Sequence, residues 1–193
     1  MARTKEFNRE EALLIGMDVF WRKGFSATTT DDLRLEMGIG RQSFYDTFGD
    51  KRRCYLDALR AYVVQEVSSY ISTLRGAGAP LVGLRNLLLI PASWDEKRRT
   101  KGCLAMNALS EFGSLDADVT AALAPAQLML ERGVVGLLAE AKAKGDVPSA
   151  VDEYQAARAF ICTRAGLIAA AKGGMATDQL RSIAEFTVDR LTY

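Results

Sequence analysis

Residues 24–48 read GFSATTTDDLRLEMGIGRQSFYDTF, and this stretch decides the fold. Thr29, followed three residues later by Asp32, is a capping pattern that opens a short helix with Leu33 and Met37 on its inner face. Gly38, Ile39 and Gly40 then supply a tight turn. A third short helix is predicted from about Arg41 to Phe48, closed by Gly49 and Asp50. Two short helices joined by a glycine-containing turn and buttressed by a preceding helix make a helix-turn-helix unit. Gly24, Phe25, Ala27, Leu33 and Met37 are expected to fit the first two helices together. Ile39 plugs the turn, and Phe44 and Phe48 anchor the third helix.

That anchoring turns Arg41, Gln42, Ser43, Tyr45, Asp46 and Thr47 outward. Arg and Gln near the start of such a helix can make bidentate bonds to guanine and adenine in a DNA major groove. Lys51, Arg52 and Arg53 open the next helix, where the macrodipole disfavours cations. An external anion such as a DNA phosphate would relieve that conflict. Arg3, Lys5 and Arg9 add a basic N-terminal arm, readable either as a phosphate or minor-groove contact or as solubilising surface charge.

The rest of the chain is also helical, with no convincing strand, so the fold class is all-α with about nine helices. Asn8 with Glu11 opens a first helix that Gly24 ends, its apolar face formed by Ala12, Ile15, Val19 and Phe20. A long amphipathic helix is predicted from about Lys51 to Leu74, broken by the Gly- and Pro-containing segment 75–80. Further helices are expected at roughly 80–94, 102–113, 117–144, 152–172 and 177–191, with a kink or a late start at Pro125. The domain reading is a three-helix domain over 1–50 and a helical bundle over 51–193, joined by helix 51–74.

Composition narrows the function. The chain has 193 residues, 49% hydrophobic and 25% charged, which is an ordinary globular balance. The formal net charge is +1, so any charge that serves nucleic acid must be local. The absence of histidine removes a His-based triad, a His-ligated zinc site and a His general base. No Gly-rich phosphate loop or carboxylate pair is evident, so no catalytic residue, metal or cofactor is expected. Three cysteines without a CxxC pair suit a reducing compartment. MARTKEFNREE lacks the apolar centre of a signal peptide, and the apolar stretch 159–171 is interrupted by Arg164, so a cytoplasmic protein without a membrane span is expected.

The stretch from Phe7 to about Leu59 resembles the DNA-binding domain of the TetR (tetracycline-repressor-like) family. The resemblance rests on WRKGF at the end of the first helix, TTT before the second, the GIG turn, and the aromatic pair in SFYDTFGDK. It implies that Thr28, Thr29 and Thr30 lie where relatives bind phosphate at the second helix's N-terminus. It implies base and backbone contacts for Arg41, Gln42 and Ser43, a phosphate contact for Tyr45, and a phosphate-binding role for Lys51. Two departures stand out. Gly40 occupies a position where many relatives carry a capping Ser. Asp46 replaces a common His, Tyr or Asn, and is either a reader of a cytosine amino group or a solvated bystander.

The same resemblance implies that the C-terminal domain binds a small effector and carries a homodimer interface. GCLAMNALSEFGSLDADV and GDVPSAVDEYQAARAF resemble recurring segments of one broad group of these regulators. Small and aliphatic residues along the last two helices, among them Ala159, Gly166, Ala170, Ile183 and Ala184, suit close helix approach between two copies. Candidate pocket residues are Trp94, Cys103, Met106, Asn107, Phe112, Met129 and Phe160, each of which also reads as ordinary core. Few charges accompany them, so an apolar or aromatic effector is expected. Arg164 admits three readings: an anionic ligand group, an acid across the dimer, or a structural salt bridge. Cys103 admits two, a redox- or electrophile-sensing thiol lowered by nearby Lys97, Arg98, Arg99 and Lys101, or a small buried residue.

The expected function is a transcriptional repressor, released from a near-palindromic double-stranded operator by its effector. An electrophile-sensing repressor acting through Cys103 and an activator on the same fold are the alternatives.

Overall fold

Asn8 starts the ordered helical path, its side-chain oxygen accepting the N–H groups of Glu10 at 2.9 Å and Glu11 at 3.4 Å. The protein is seen here as a computed structural model, which describes residues 7–192; Arg3 and Lys5 lie outside the described residues. Ten α-helices follow one another, with no strand among the described residues: α1 (Arg9–Lys23), α2 (Thr30–Glu36), α3 (Arg41–Phe48), α4 (Lys51–Arg75), α5 (Pro80–Leu89), α6 (Glu96–Lys101), α7 (Leu104–Phe112), α8 (Ala117–Lys144), α9 (Glu153–Lys172) and α10 (Thr177–Asp189). A 3-10 turn, Ile90–Ser93, follows α5.

The helix count exceeds the sequence expectation by the six-residue α6. Asp95 caps it by accepting the Arg98 N–H at 2.7 Å, but no residue of α6 is buried. A helix without an apolar face leaves no periodic trace in a sequence. Two other details differ. Ile15 is 39% exposed, because the buried face of α1 runs through Ala12, Leu13, Met17, Val19 and Phe20 instead. The helix α8 begins at Ala117 and continues through Pro125, so there is no late start.

The described chain divides into two compact units. The first holds the residues up to Val64 together with Cys103–Ala124, and the second holds Gln65–Gly102 with the residues from Pro125 onward. This division departs from the expected boundary at residue 50. The helix α7 and the first turns of α8 belong with the helix-turn-helix, while α4 and α8 each contribute to both units.

In the first unit, Leu33, Met37, Ile39, Phe44 and Phe48 are all buried, as their spacing requires. Gly38 adopts φ +66°, a left-handed conformation that lets the chain reverse between α2 and α3. In the second unit, α10 packs against α5, α9 and the 3-10 turn. Its core includes Leu84, Leu87, Leu88, Val134, Leu138 and Phe160. By length and composition α8 could cross a membrane, yet one face of it is buried through Val119, Leu123, Val134, Leu138 and Ala141.

Gly83 marks a close approach of α5 to the end of α4. A Cβ there would sit 2.4 Å from the Leu74 carbonyl oxygen, against backbone that cannot step aside. Gly83→Ala should therefore lower the denaturation midpoint, with an overpacking cost of about 1–3 kcal/mol exceeding the gain in helix propensity. Gly136 in α8 has nothing within 4 Å of a built Cβ. Gly136→Ala should raise the midpoint by up to about 1 kcal/mol in the same urea titration.

Candidate nucleic-acid interface

Phe44 and Phe48 lie one turn apart on α3 and are 0% and 3% exposed. Their burial fixes the rotation of α3 and leaves Arg41, Gln42, Ser43, Tyr45 and Asp46 exposed, as the sequence predicts, whereas Thr47, expected outward, is half-buried with its hydroxyl enclosed. Gly40 caps α3 without a side-chain hydrogen bond. Asp46 is exposed on α3. Its Oδ1 accepts a hydrogen bond from Gln42 Nε2 at 2.8 Å, so the carboxylate positions the amide one turn earlier. Tyr45 stands edge-on to Phe44 and walls a surface depression of about 390 Å³. Arg9, Arg53 and Arg60 line the same depression. Arg9 and Arg60 are held by Asp57 at 2.6 and 3.3 Å. Arg53 has no ion pair among the described residues. The sequence marked it only as one of three clustered cations, and Arg60 not at all.

The three threonines have three different fates. Thr28 is 1% exposed, and its hydroxyl donates to the Gly24 carbonyl at 2.5 Å, so its side chain is not offered to a phosphate. Thr29 is the N-cap of α2: its hydroxyl accepts the Asp32 N–H at 3.0 Å, and the Asp32 carboxylate accepts the Thr29 N–H at 2.9 Å. Thr30 is half-buried in the first turn. Asp32 is held well below the usual carboxylate range, by the Lys23 ammonium at 2.8 Å first and by Thr29 second. Negative charge thus already occupies the N-terminus of α2.

Lys51 is engaged within the fold. Its Nζ donates to the carbonyls of Phe25 at 3.0 Å and Thr28 at 2.9 Å, and lies 4.1 Å from the centre of the Phe25 ring. Arg52 is equally committed, forming a forked pair with Asp116 at 2.8 and 3.0 Å and reaching Asp118 at 2.8 Å. The conflict at the start of α4 is thereby relieved within the fold: two of the three cations find oxygen acceptors, and Asp50 caps the helix by accepting the Arg53 N–H at 2.8 Å. From α7, the Glu111 carboxylate accepts the N–H groups of Phe25 at 2.9 Å and Ser26 at 2.6 Å. Burial works against its ionisation, but these bonds prevail and lower its pKa.

The expected effector residues divide between the two units. Cys103, Met106, Asn107 and Phe112 belong to the first unit, and Trp94, Met129 and Phe160 to the second. Phe112 packs on Phe25 and Tyr55, with ring centres 5.3 and 5.4 Å away, so it braces the helix-turn-helix. Cys103 is 6% exposed, and its Sγ accepts the Tyr62 hydroxyl at 3.4 Å. This buried, hydrogen-bonded thiol lacks the exposure that electrophile sensing requires. Met106 and Asn107 are half-buried. Phe160 is core at 1% exposed, and Trp94 packs half-buried with Arg98 across its ring at 5.0 Å. Only Met129 lines the groove of about 650 Å³ in the second unit, between the end of α4, residues 78–80, and α8.

Comparison with known proteins places this arrangement. Residues 15–58 match the bacterial regulatory proteins of the tetR family, and residues 80–185, more than half of the chain, match the tetracyclin repressor-like C-terminal domain. The chain belongs to the TetR family. Among relatives, it is 24% identical to the HTH-type transcriptional repressor ComR of Escherichia coli (strain K12), over 96% of this chain and 90% of that protein. It is 32% identical to the HTH-type transcriptional regulator YezE of Bacillus subtilis (strain 168), over 58% of each chain. It is 26% identical to a cysteine-substituted mutant of the TetR-family regulator CifR solved with 26-base-pair operator DNA, with a TM-score of 0.81 over 98% of this chain and 100% of that one.

In this TetR-family regulator the side chains around residues 24–28 therefore brace the helix-turn-helix, whereas the polar ones of α3 face solvent. Lys51→Met should lower the thermal midpoint of the DNA-free protein, by about 1–3 kcal/mol, as two carbonyls lose their donor. Tyr45→Ala should leave the midpoint nearly unchanged. Asp116 is held below its ordinary pKa chiefly by the Arg52 hydrogen bond. A carboxyl so lowered contributes stability above its unfolded pKa of about 4 and loses it as pH falls through the folded value. Asp116→Asn should accordingly destabilise the protein at pH 7, with the difference shrinking below about pH 4 in thermal melts.

Proposed function

We propose that the chain is a homodimeric, sequence-specific repressor that acts on double-stranded DNA in the cytoplasm and is released by a small effector. The observation that carries this reading is the exposed polar face of α3, held in fixed rotation by Phe44 and Phe48. Arg41 and Gln42 at its start are suited to base edges, and Ser43, Tyr45 and Arg53 to phosphate oxygens. The likeness to CifR, a protein solved on operator DNA, supports the same use of this surface.

A dimer is supported by the outer faces of the last two helices. Ala159, Cys162, Gly166 and Ala169 are exposed along α9, and Ile183 and Phe186 are 39% and 62% exposed on α10. Small residues beside exposed apolar ones suit close packing against a second copy. A two-fold axis there would present two α3 helices to successive major grooves of a near-palindromic operator. The effector would act by population shift, binding the DNA-incompetent state more tightly, with α4 and α8 as the helices common to both units. The groove that Met129 lines offers Ile71, Leu74 and Leu137 to an apolar or aromatic ligand body, with Arg75, Arg132 and Glu140 beside them for a polar end.

Operator fragments selected by the protein from a random DNA pool test this reading. Gln42→Ala should relax preference at one base pair per half-site, by about 1–3 kcal/mol. Arg53→Ala should weaken binding to all sequences and reduce the salt slope by about 1 per protomer. Phe186→Glu should give a monomer that no longer holds the full palindrome. Selection of no DNA, or a Gln42→Ala protein with unchanged preference, would refute it.

A further inference from the structure

Arg164 stands at the centre of the buried face of α9. Its neighbours on that face, Ala157, Phe160, Leu167, Ile168 and Ala171, are all buried, and Arg164 itself is 9% exposed. A guanidinium does not lose its proton in a protein, so a full charge is held in an apolar wall. A structural salt bridge is absent: Arg164 has no ion pair among the described residues. Three acids of this unit pair with other cations, Glu66 with Arg98 at 3.2 Å, Glu131 with Arg158 at 3.5 Å and Glu153 with Lys142 at 3.1 Å. Arg164 instead lies over the ring of Tyr70, 4.0 Å from its centre. The Tyr70 hydroxyl in turn donates to Glu66.

A ring face attracts a cation far less strongly than burial without a counter-charge penalises it. An acid from a second subunit is badly placed to supply the difference. At about 100° per residue, Cys162, Gly166 and Ala169 on the exposed face of α9 point nearly opposite to Arg164. What remains is an anion that enters the second unit from solution. The planar fork matches a carboxylate by two parallel hydrogen bonds. The apolar surroundings would accept only one charge. Leu74, one turn beyond Tyr70 on α4, lines the groove of about 650 Å³; Arg164 does not line it, and its walls combine Ile71, Leu74, Met129 and Leu137 with Arg75, Arg132 and Glu140, so an apolar ligand body has surface there beside polar groups.

We propose that Arg164, stacked on Tyr70, anchors the carboxylate of a ligand whose remainder is aromatic or aliphatic. This rests on the effector part of the function proposed above and narrows it from a wholly uncharged ligand to a monocarboxylate with an apolar body.

The test uses the full chain and two matched probe pairs, benzoate with benzamide and octanoate with octanamide, followed by calorimetry and thermal shift. At least one carboxylate should bind and raise the melting temperature, while its amide does neither. Arg164→Met should weaken carboxylate binding by roughly 10–100-fold, the value of a charged bidentate contact. Arg164→Lys, which keeps the charge and loses the fork, should fall between. Without ligand, Arg164→Met should melt at or above the wild-type temperature, because an unpaired buried charge has been removed. A large drop in that melting temperature, equal binding of carboxylates by Arg164→Met, no binding of either carboxylate, or conversion of Arg164→Met to a monomer would each overturn the proposal. DNA selection by the same preparations separates the two readings: a protein that binds carboxylates but selects no DNA refutes the repressor and leaves the Arg164 site standing.

Discussion

The reading head depends on how the backbone corner between α1 and α2 is satisfied. Residues 24–28 leave one helix and enter the next, so their N–H and C=O groups have no helical partner. Side chains distant in sequence meet them: Glu111 takes the N–H groups of Phe25 and Ser26, and Lys51 donates to the carbonyls of Phe25 and Thr28. A carboxylate from α7 and an ammonium from α4 thus hold the two polarities of one turn. The Phe25 ring, packed on Phe20, Tyr55 and Phe112, fills the space behind it. The entry to α2, and through α2 the platform for α3, follows from this arrangement.

The same arrangement explains why α7 belongs with the helix-turn-helix. Glu111 and Phe112 lie at its end, and the Arg52 fork to Asp116 and Asp118 ties α4 to the start of α8. A change in the position of α7 would reach the α1–α2 corner through two hydrogen bonds and an aromatic contact. A regulator of this kind needs such a device: a discrete set of contacts that either fits or does not.

What the sequence disclosed follows from the range of each interaction. The helix-turn-helix was legible because its determinants are local: a cap three residues from its partner, a glycine turn, and Phe44 and Phe48 four residues apart. Lys51 was not, because a cation at a helix start implies an acceptor without naming it, and the acceptors lie 26 and 23 residues earlier. The run Thr28, Thr29, Thr30 shows the limit in miniature, since one residue type is spent on a buried bond, a helix cap and a half-buried first turn. The bracing role of Phe112 was hidden for a related reason. Aromatic and thioether side chains on α7 suit a cavity wall and a brace equally, and only tertiary contact distinguishes them.

Charge follows the same logic. The chain is nearly neutral, and most cations near the reading surface are already matched: Arg9 and Arg60 by Asp57, Arg22 by Asp18, Lys23 by Asp32, Arg34 by Asp31, and Arg52 by Asp116. Arg41 and Arg53 stand without an ion pair among the described residues. A surface with few unmatched cations gains little from non-specific attraction to a polyanion, since that attraction scales with the number of phosphates neutralised. Discrimination must then come from groups already oriented before DNA arrives. The Gln42 amide held by Asp46 is such a group: its direction is set within the protein, so the base contact proposed for it would cost less rotational freedom.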